Sequence, residues 1–140
     1  MIELLIVLIL ISLSISLITP SLSRFSKTVE LKGVAKKISG ILRYYRSEAV
    51  NKRQNYQILF DTDVKEVKVQ SMESKEEKRK DSIKTYGLPK GIQMKGVNLI
   101  EFYSNGGSNG GTILLDSEGQ KGYQIKVHFL TGMVEVERFR

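Results

Sequence analysis

The sequence predicts an α+β protein, in which a long N-terminal hydrophobic helix packs on a small antiparallel β-rich domain. Three observations predict this. From Leu4 to Leu22 there is no charged residue. Apolar residues then recur at helical spacing as far as Ala49. Beyond Asn51 the pattern changes to period two, in short runs separated by Gly, Asn, Asp and Pro. The 140 residues therefore divide into an apolar half of the helix (1–22), an amphipathic half (23–52) and a globular β-rich domain (53–140).

The nineteen residues of the uncharged run span roughly 28 Å at a helical rise of about 1.5 Å. That matches the hydrocarbon core of a bilayer, so residues 1–22 read as a transmembrane helix. Pro20 lies inside the run. It lacks an N–H and crowds the preceding turn, so a kink is expected near Ser16–Pro20. Ser16 or a neighbouring chain is expected to satisfy the freed carbonyl. Further on, Val34, Ile38, Ile41, Leu42, Tyr45 and Ala49 form one apolar stripe, with Lys36, Ser39, Arg43 and Arg46 largely on other faces. Such a stripe needs a partner surface, most simply a sheet.

Tyr56, Ile58 and Phe60 alternate with more polar neighbours. Val64, Val67 and Val69 follow the Asp61-Thr62-Asp63 turn, and the pair reads as a hairpin. Residues 73–82 are almost wholly charged and read as an exposed loop. Ile83–Leu88 and Ile92–Val97 are weaker strands around Pro89-Lys90-Gly91. Leu99–Tyr103 is a strand, and Asn105–Gly111 reads as a flexible turn. Thr112–Leu115, Tyr123–Leu130 and Met133–Phe139 complete the set, joined at Gly119–Gly122 and Thr131-Gly132. Short turns between successive strands favour an antiparallel sheet or two small sheets.

Charge is distributed unevenly within the net +7. Residues 1–60 hold nine Lys/Arg and three acids, a net of +6, whereas residues 61–140 hold thirteen and twelve, a net of +1. The basic stem reads as a solvated helix face near anionic headgroups. A nucleic-acid surface is the alternative. There is no cysteine, which removes disulfides, thiolate metal sites and cysteine nucleophiles.

No catalytic constellation stands out, no enzyme activity is expected, and no cofactor or metal is implied. His128 is the only histidine and reads as a structural residue in mid-strand. Asp61 with Asp63, and Asp116 with Glu118, read as turn residues rather than calcium ligands. The Gly-rich 106–111 stretch lacks a following helix and the lysine of a phosphate loop. Tyr44 and Tyr45, flanked by Arg43 and Arg46, could stack on bases, but Tyr45 lies on the core stripe. Glu3 is the unusual residue. Either it sits at the membrane edge and favours the positive end of the helix dipole, or it is a costly carboxylate in hydrocarbon that needs a partner.

The run Met1-Ile-Glu-Leu-Leu-Ile-Val-Leu-Ile-Leu-Ile11 resembles the N-terminus of type IV pilins and type II secretion pseudopilins. In that family a prepilin peptidase removes a short basic leader ending in Gly. Ile2-Glu3 matches the end of the processed motif, and Pro20 stands where the family has a helix-kinking proline. Met1 stands where the family has Leu, and the leader with its Gly falls outside the chain. Gly110-Gly-Thr-Ile-Leu-Leu115, Gly119, Gln124-Ile-Lys-Val127 and Thr131-Gly-Met-Val134 are similar to the GspH/FimT group of minor subunits.

The resemblance implies a structural subunit that partners other pilins or pseudopilins in a filament or tip complex. It implies a bacterial inner-membrane anchor, processing by the prepilin peptidase and a C-terminal domain outside the membrane. Arg24, Lys27, Lys32, Lys36 and Lys37 after the apolar run oppose that orientation by the positive-inside rule. Glu3 and Pro20 become the assembly residues, with Glu3 pairing the N-terminal ammonium of a neighbouring subunit. A type II secretion minor pseudopilin is the expected role, and a FimT-like minor pilin acting in pilus assembly or DNA uptake is the alternative. Arg138 and Arg140 are then the candidate DNA contacts, although the near-neutral outer domain does not favour DNA as a partner.

Overall fold

A computed structural model describes residues 1–72, 83–118 and 122–139, with the side chains of residues 19–21 left aside. The charged 73–82 stretch, most of the 119–122 turn and Arg140 lie outside the described residues. One helix, α1 (Ile2–Lys52), is followed by eight strands: β1 (Tyr56–Asp61), β2 (Glu66–Ser71), β3 (Lys84–Gly87), β4 (Ile92–Gly96), β5 (Leu99–Phe102), β6 (Gly111–Ser117), β7 (Tyr123–Val127) and β8 (Val134–Arg138). The chain forms two compact units, Met1–Glu30 and Leu31–Arg140. The helix therefore contributes to both, and the second unit contains its C-terminal half.

In the second unit the expected stripe is buried, from Val34 to Ala49, and it gains Leu31 and Ala35. Ser39 departs from expectation, for it is buried too. Its hydroxyl donates to the Lys36 carbonyl at 3.0 Å, which lets a polar residue enter an apolar face without leaving a donor unpaired. The helix stops at Lys52 through a left-handed residue, Arg53 (φ 52°). The Gln54 amide then reaches back to the Ala49 carbonyl at 3.1 Å, a Schellman closure that satisfies the last turn.

Two antiparallel four-stranded sheets carry the remainder, in the orders β3-β2-β1-β5 and β4-β6-β7-β8. Tyr56, Ile58 and Phe60 of β1 face inward, in register with Ser71, Val69 and Val67. The second sheet adds the fully buried Ile113, Leu115 and Ile125. One apolar core draws on both sheets and the helix stripe. Each of these large aliphatics contributes about 1.5–3 kcal/mol by leaving water.

Four expectations are corrected. Val64 is not in a strand but in the β1–β2 turn, and it is exposed. There Asp61 Oδ1 accepts from the amides of Asp63 and Val64, both at 3.1 Å, a side-chain turn that ends the alternation early. β7 stops at Val127 rather than Leu130, so His128 lies past its end. Phe129 and Leu130 are exposed in a turn where Leu130 takes a left-handed φ of 73°. The 105–111 stretch is a packed turn in which Gly106, Gly107 and Ser108 are buried. It lies along the outer edge of β5, where the Tyr103 amide donates to the Gly107 carbonyl and the Glu101 amide to Asn109 Oδ1, each at 2.9 Å. That pairing closes a sheet edge otherwise open to other chains.

Candidate assembly segment

The Met1–Glu30 unit is a stretch of helix whose large apolar side chains, where described, are exposed. Ile2, Leu4–Ile11, Leu13, Ile15, Leu17, Ile18 and Leu22 are all exposed. Three serines within the apolar run are satisfied by the helix itself. Ser12, Ser14 and Ser16 donate to the carbonyls of Ile9, Leu10 and Ser12 at 2.9, 2.8 and 3.0 Å. Hydroxyls satisfied along the helix axis leave a face that hydrocarbon or other helices can cover. Ser16 thus spends its proton one turn back, on Ser12, and not on the carbonyl that Pro20 frees. The side chain of Pro20 lies outside the described residues, and the helix runs through its position.

Glu3 sits in the first helical turn and is exposed. It is the only charged side chain between Met1 and Arg24. Among the described residues one helix is long and apolar enough to cross a membrane.

The second unit uses its arginines structurally. Arg46 Nε donates to the carbonyls of Gly106 and Thr131, each at 3.1 Å, and its Nη2 donates to Thr131 at 2.9 Å. Arg43 Nη2 donates to the Val134 carbonyl at 3.1 Å. The two guanidiniums fasten the helix to the 105–111 turn and to the β7–β8 loop. Arg43 remains exposed beyond that one bond. Tyr45 is buried and shares a hydrogen bond of 3.2 Å with Tyr86, whereas Tyr44 is half-exposed. Burial first, and then the Tyr86 hydroxyl, hold the Tyr45 hydroxyl well above the usual tyrosine range. The sequence hid the two arginine roles, because their acceptors lie 60 to 91 residues away.

The remaining candidates resolve individually. His128 Nε2 lies 2.9 Å from Glu135 Oε2 but off the line of a hydrogen bond. Asp116 faces Lys95 at 3.7 Å. Arg138 closes β8 and is exposed, while Arg140 lies outside the described residues. Among the described residues, no group of three or more His, Asp or Glu side chains could hold a metal ion.

Solved structures share this arrangement. The minor pseudopilin EpsH from the type 2 secretion system of Vibrio cholerae matches with a TM-score of 0.64 at 14% identity, covering 78% of this chain and 97% of that one. The type IV minor pilin FimU of Pseudomonas aeruginosa matches with a TM-score of 0.65 at 20% identity, covering 81% and 92%. The fold is pilin-like, of the GspH/FimT type. No protein-family model matches the chain, and no curated protein does.

Proposed function

We propose that the chain is a minor pseudopilin of a type II protein secretion system, which helps assemble or cap the pseudopilus from the bacterial inner membrane. The observation that carries this is the helix segment of exposed large apolar side chains from Ile2 to Leu22, with Glu3 in its first turn, joined to a domain whose fold is shared with EpsH. Such a surface leaves water only in lipid or in a bundle of similar helices, and an anchor that assembles needs both. Glu3 supplies the register. A carboxylate inside an apolar bundle is stable only opposite a cation, and the N-terminal ammonium of a neighbouring subunit is suited to that place. A Pro20 kink shapes the helix for that packing. The domain lies on the outer side of the membrane, and the leader is removed by a prepilin peptidase. The subunit acts as a structural part rather than an enzyme.

The test is Glu3→Ala in cells carrying the partner subunits. The variant is expected to insert in the membrane normally and to be lost from cross-linked filament or tip complexes. Normal incorporation would sink the pairing idea. The likeness to FimU favours a second reading, a minor pilin of a type IV pilus active in assembly or DNA uptake. Salt-dependent DNA binding that weakens on Arg138→Gln would support it, and no binding at low salt would remove it.

A further inference from the structure

We propose that the end of the Leu31–Arg140 unit at which the chain enters is a docking surface for anionic lipid headgroups. The proposal rests on the anchor reading above.

Tertiary structure gathers lysines there that the sequence scatters. Lys37, near the start of this unit's helix, donates from Nζ to the Gly87 carbonyl at 3.2 Å. Lys65, in the β1–β2 turn, donates from Nζ to the Lys90 carbonyl. The Leu88 amide bonds the Lys65 carbonyl at 2.9 Å, which ties the two turns together. Lys90 is exposed on the β3–β4 turn, and Lys32 and Lys36 are exposed on the adjoining helix turns. Two of the acids of this end share one lysine. Lys68 stands 3.8 Å from Asp61 and 4.0 Å from Glu66. The uncovered charge of that pair, Asp63, and Glu118, which the β4–β6 register sets beside the β3–β4 turn, are left against Lys32, Lys36, Lys37, Lys65 and Lys90, three negative charges to five positive. Glu30, the residue before this unit, is offset in sequence by Arg24 and Lys27.

Lysine is a compact point charge that meets phosphate without a fixed geometry, which suits a fluid layer of headgroups. Connectivity favours lipid over other polyanions. Lys32 follows Leu22 by ten residues, so even a fully extended chain holds it within about 35 Å of the apolar run. A tether of that length presents the patch to headgroups at high effective concentration. Each lysine near an anionic surface adds about fivefold in affinity.

The native chain has no cysteine, and a Cβ at Gly91 meets nothing within 4 Å, so Gly91→Cys supplies a harmless reporter. The full chain is reconstituted in nanodiscs of phosphatidylcholine alone, or mixed with phosphatidylglycerol, and the rate of reaction with a bulky maleimide is measured. The expected result is a rate at least about fivefold slower in anionic discs, restored by high salt and by K37Q/K65Q/K90Q but not by K126Q. Equal rates in both discs, with the chain retained, would overturn the docking surface alone. Loss of the chain from the discs would overturn the anchor and this surface with it. Slowing by a short DNA duplex but not by anionic lipid would assign the patch to nucleic acid instead.

Discussion

Arg46→Ala removes the fastening between the helix and two loops that are remote in sequence. The side chain makes two fork contacts to the Thr131 carbonyl and one to the Gly106 carbonyl. A hydrogen bond from a charged donor is worth about 1.5–3 kcal/mol net, and a buried acceptor left bare costs about 1–3 kcal/mol. Thr131 is exposed, so water replaces most of what its carbonyl loses, while Gly106 is buried and its carbonyl is not so readily resolvated. The sum is about 2–4 kcal/mol of destabilisation. For the unit Leu31–Arg140, each kcal/mol corresponds to roughly 4 °C, so the melting point should fall by about 10–15 °C. The assay is thermal unfolding of the full chain in mild detergent, followed by circular dichroism in the β-sheet band. A urea titration with unchanged slope serves as the check on compactness. Arg46→Lys should recover only part of the loss, since one ammonium cannot reproduce the fork. A melting point for Arg46→Ala within about 2 °C of the parent, less than 1 kcal/mol by the same conversion, would refute the reasoning.

Other outcomes follow from the same geometry. Gly132→Ala should destabilise by about 2–4 kcal/mol in the same melt, because φ is +68° and the new Cβ would lie 2.3 Å from the Gly106 carbonyl oxygen; a neutral effect would contradict the close approach. Phe102→Ala should cost about 3–5 kcal/mol by urea denaturation, since the ring is fully buried; a loss below 1 kcal/mol would mean that the site collapses or is solvated. Stability should be flat from neutral pH to about pH 9 and decline above about pH 10, where unfolded tyrosine ionises. Tyr45 resists ionisation when folded, so its contribution is whole below the unfolded pKa and is lost as pH rises toward the raised folded one. Tyr45→Phe should flatten the alkaline decline in melts taken across that range; an unchanged slope would exclude Tyr45 as its source.

Local periodicity made much of the fold readable. The helix stripe from Val34 to Ala49 was legible because a lone apolar face on a polar helix has only one interpretation. The β1–β2 hairpin was legible from alternation. Val64 misled because it keeps the alternation going, whereas the Asp61 carboxylate captures two amides and ends the strand. Ser39 misled because its polarity is cancelled within the helix by a bond that no composition count can register. Two small sheets were one of the expected alternatives, but which strands make up each was not legible, since it depends on the pairing of β1 with β5 and of β4 with β6. The structural roles of Arg43 and Arg46 were hidden for the same reason, because their acceptors are backbone carbonyls. The apolar segment with Glu3 was fully legible from composition.

The order in which strands join the sheets bears on how the domain is made. The chain lays down β1, β2 and β3 in one sheet, crosses to the other for β4, returns with β5, and crosses again for β6 to β8. Neither sheet can be finished before the other has begun. Ile58 must wait for Ile100, its partner forty-two positions later, and until then that flank of β1 offers unpaired amides to any passing strand. Interleaving of this kind raises the sequence distance between contacts and slows folding. It also ties both halves into one transition, because loss of β5 or β4 undoes a layer that belongs to the other. During synthesis the emerging chain is therefore vulnerable until β6 has paired with β4 and the second sheet is complete. A chaperone acting on it has a defined interval to protect, which opens with β1 and closes only with β8.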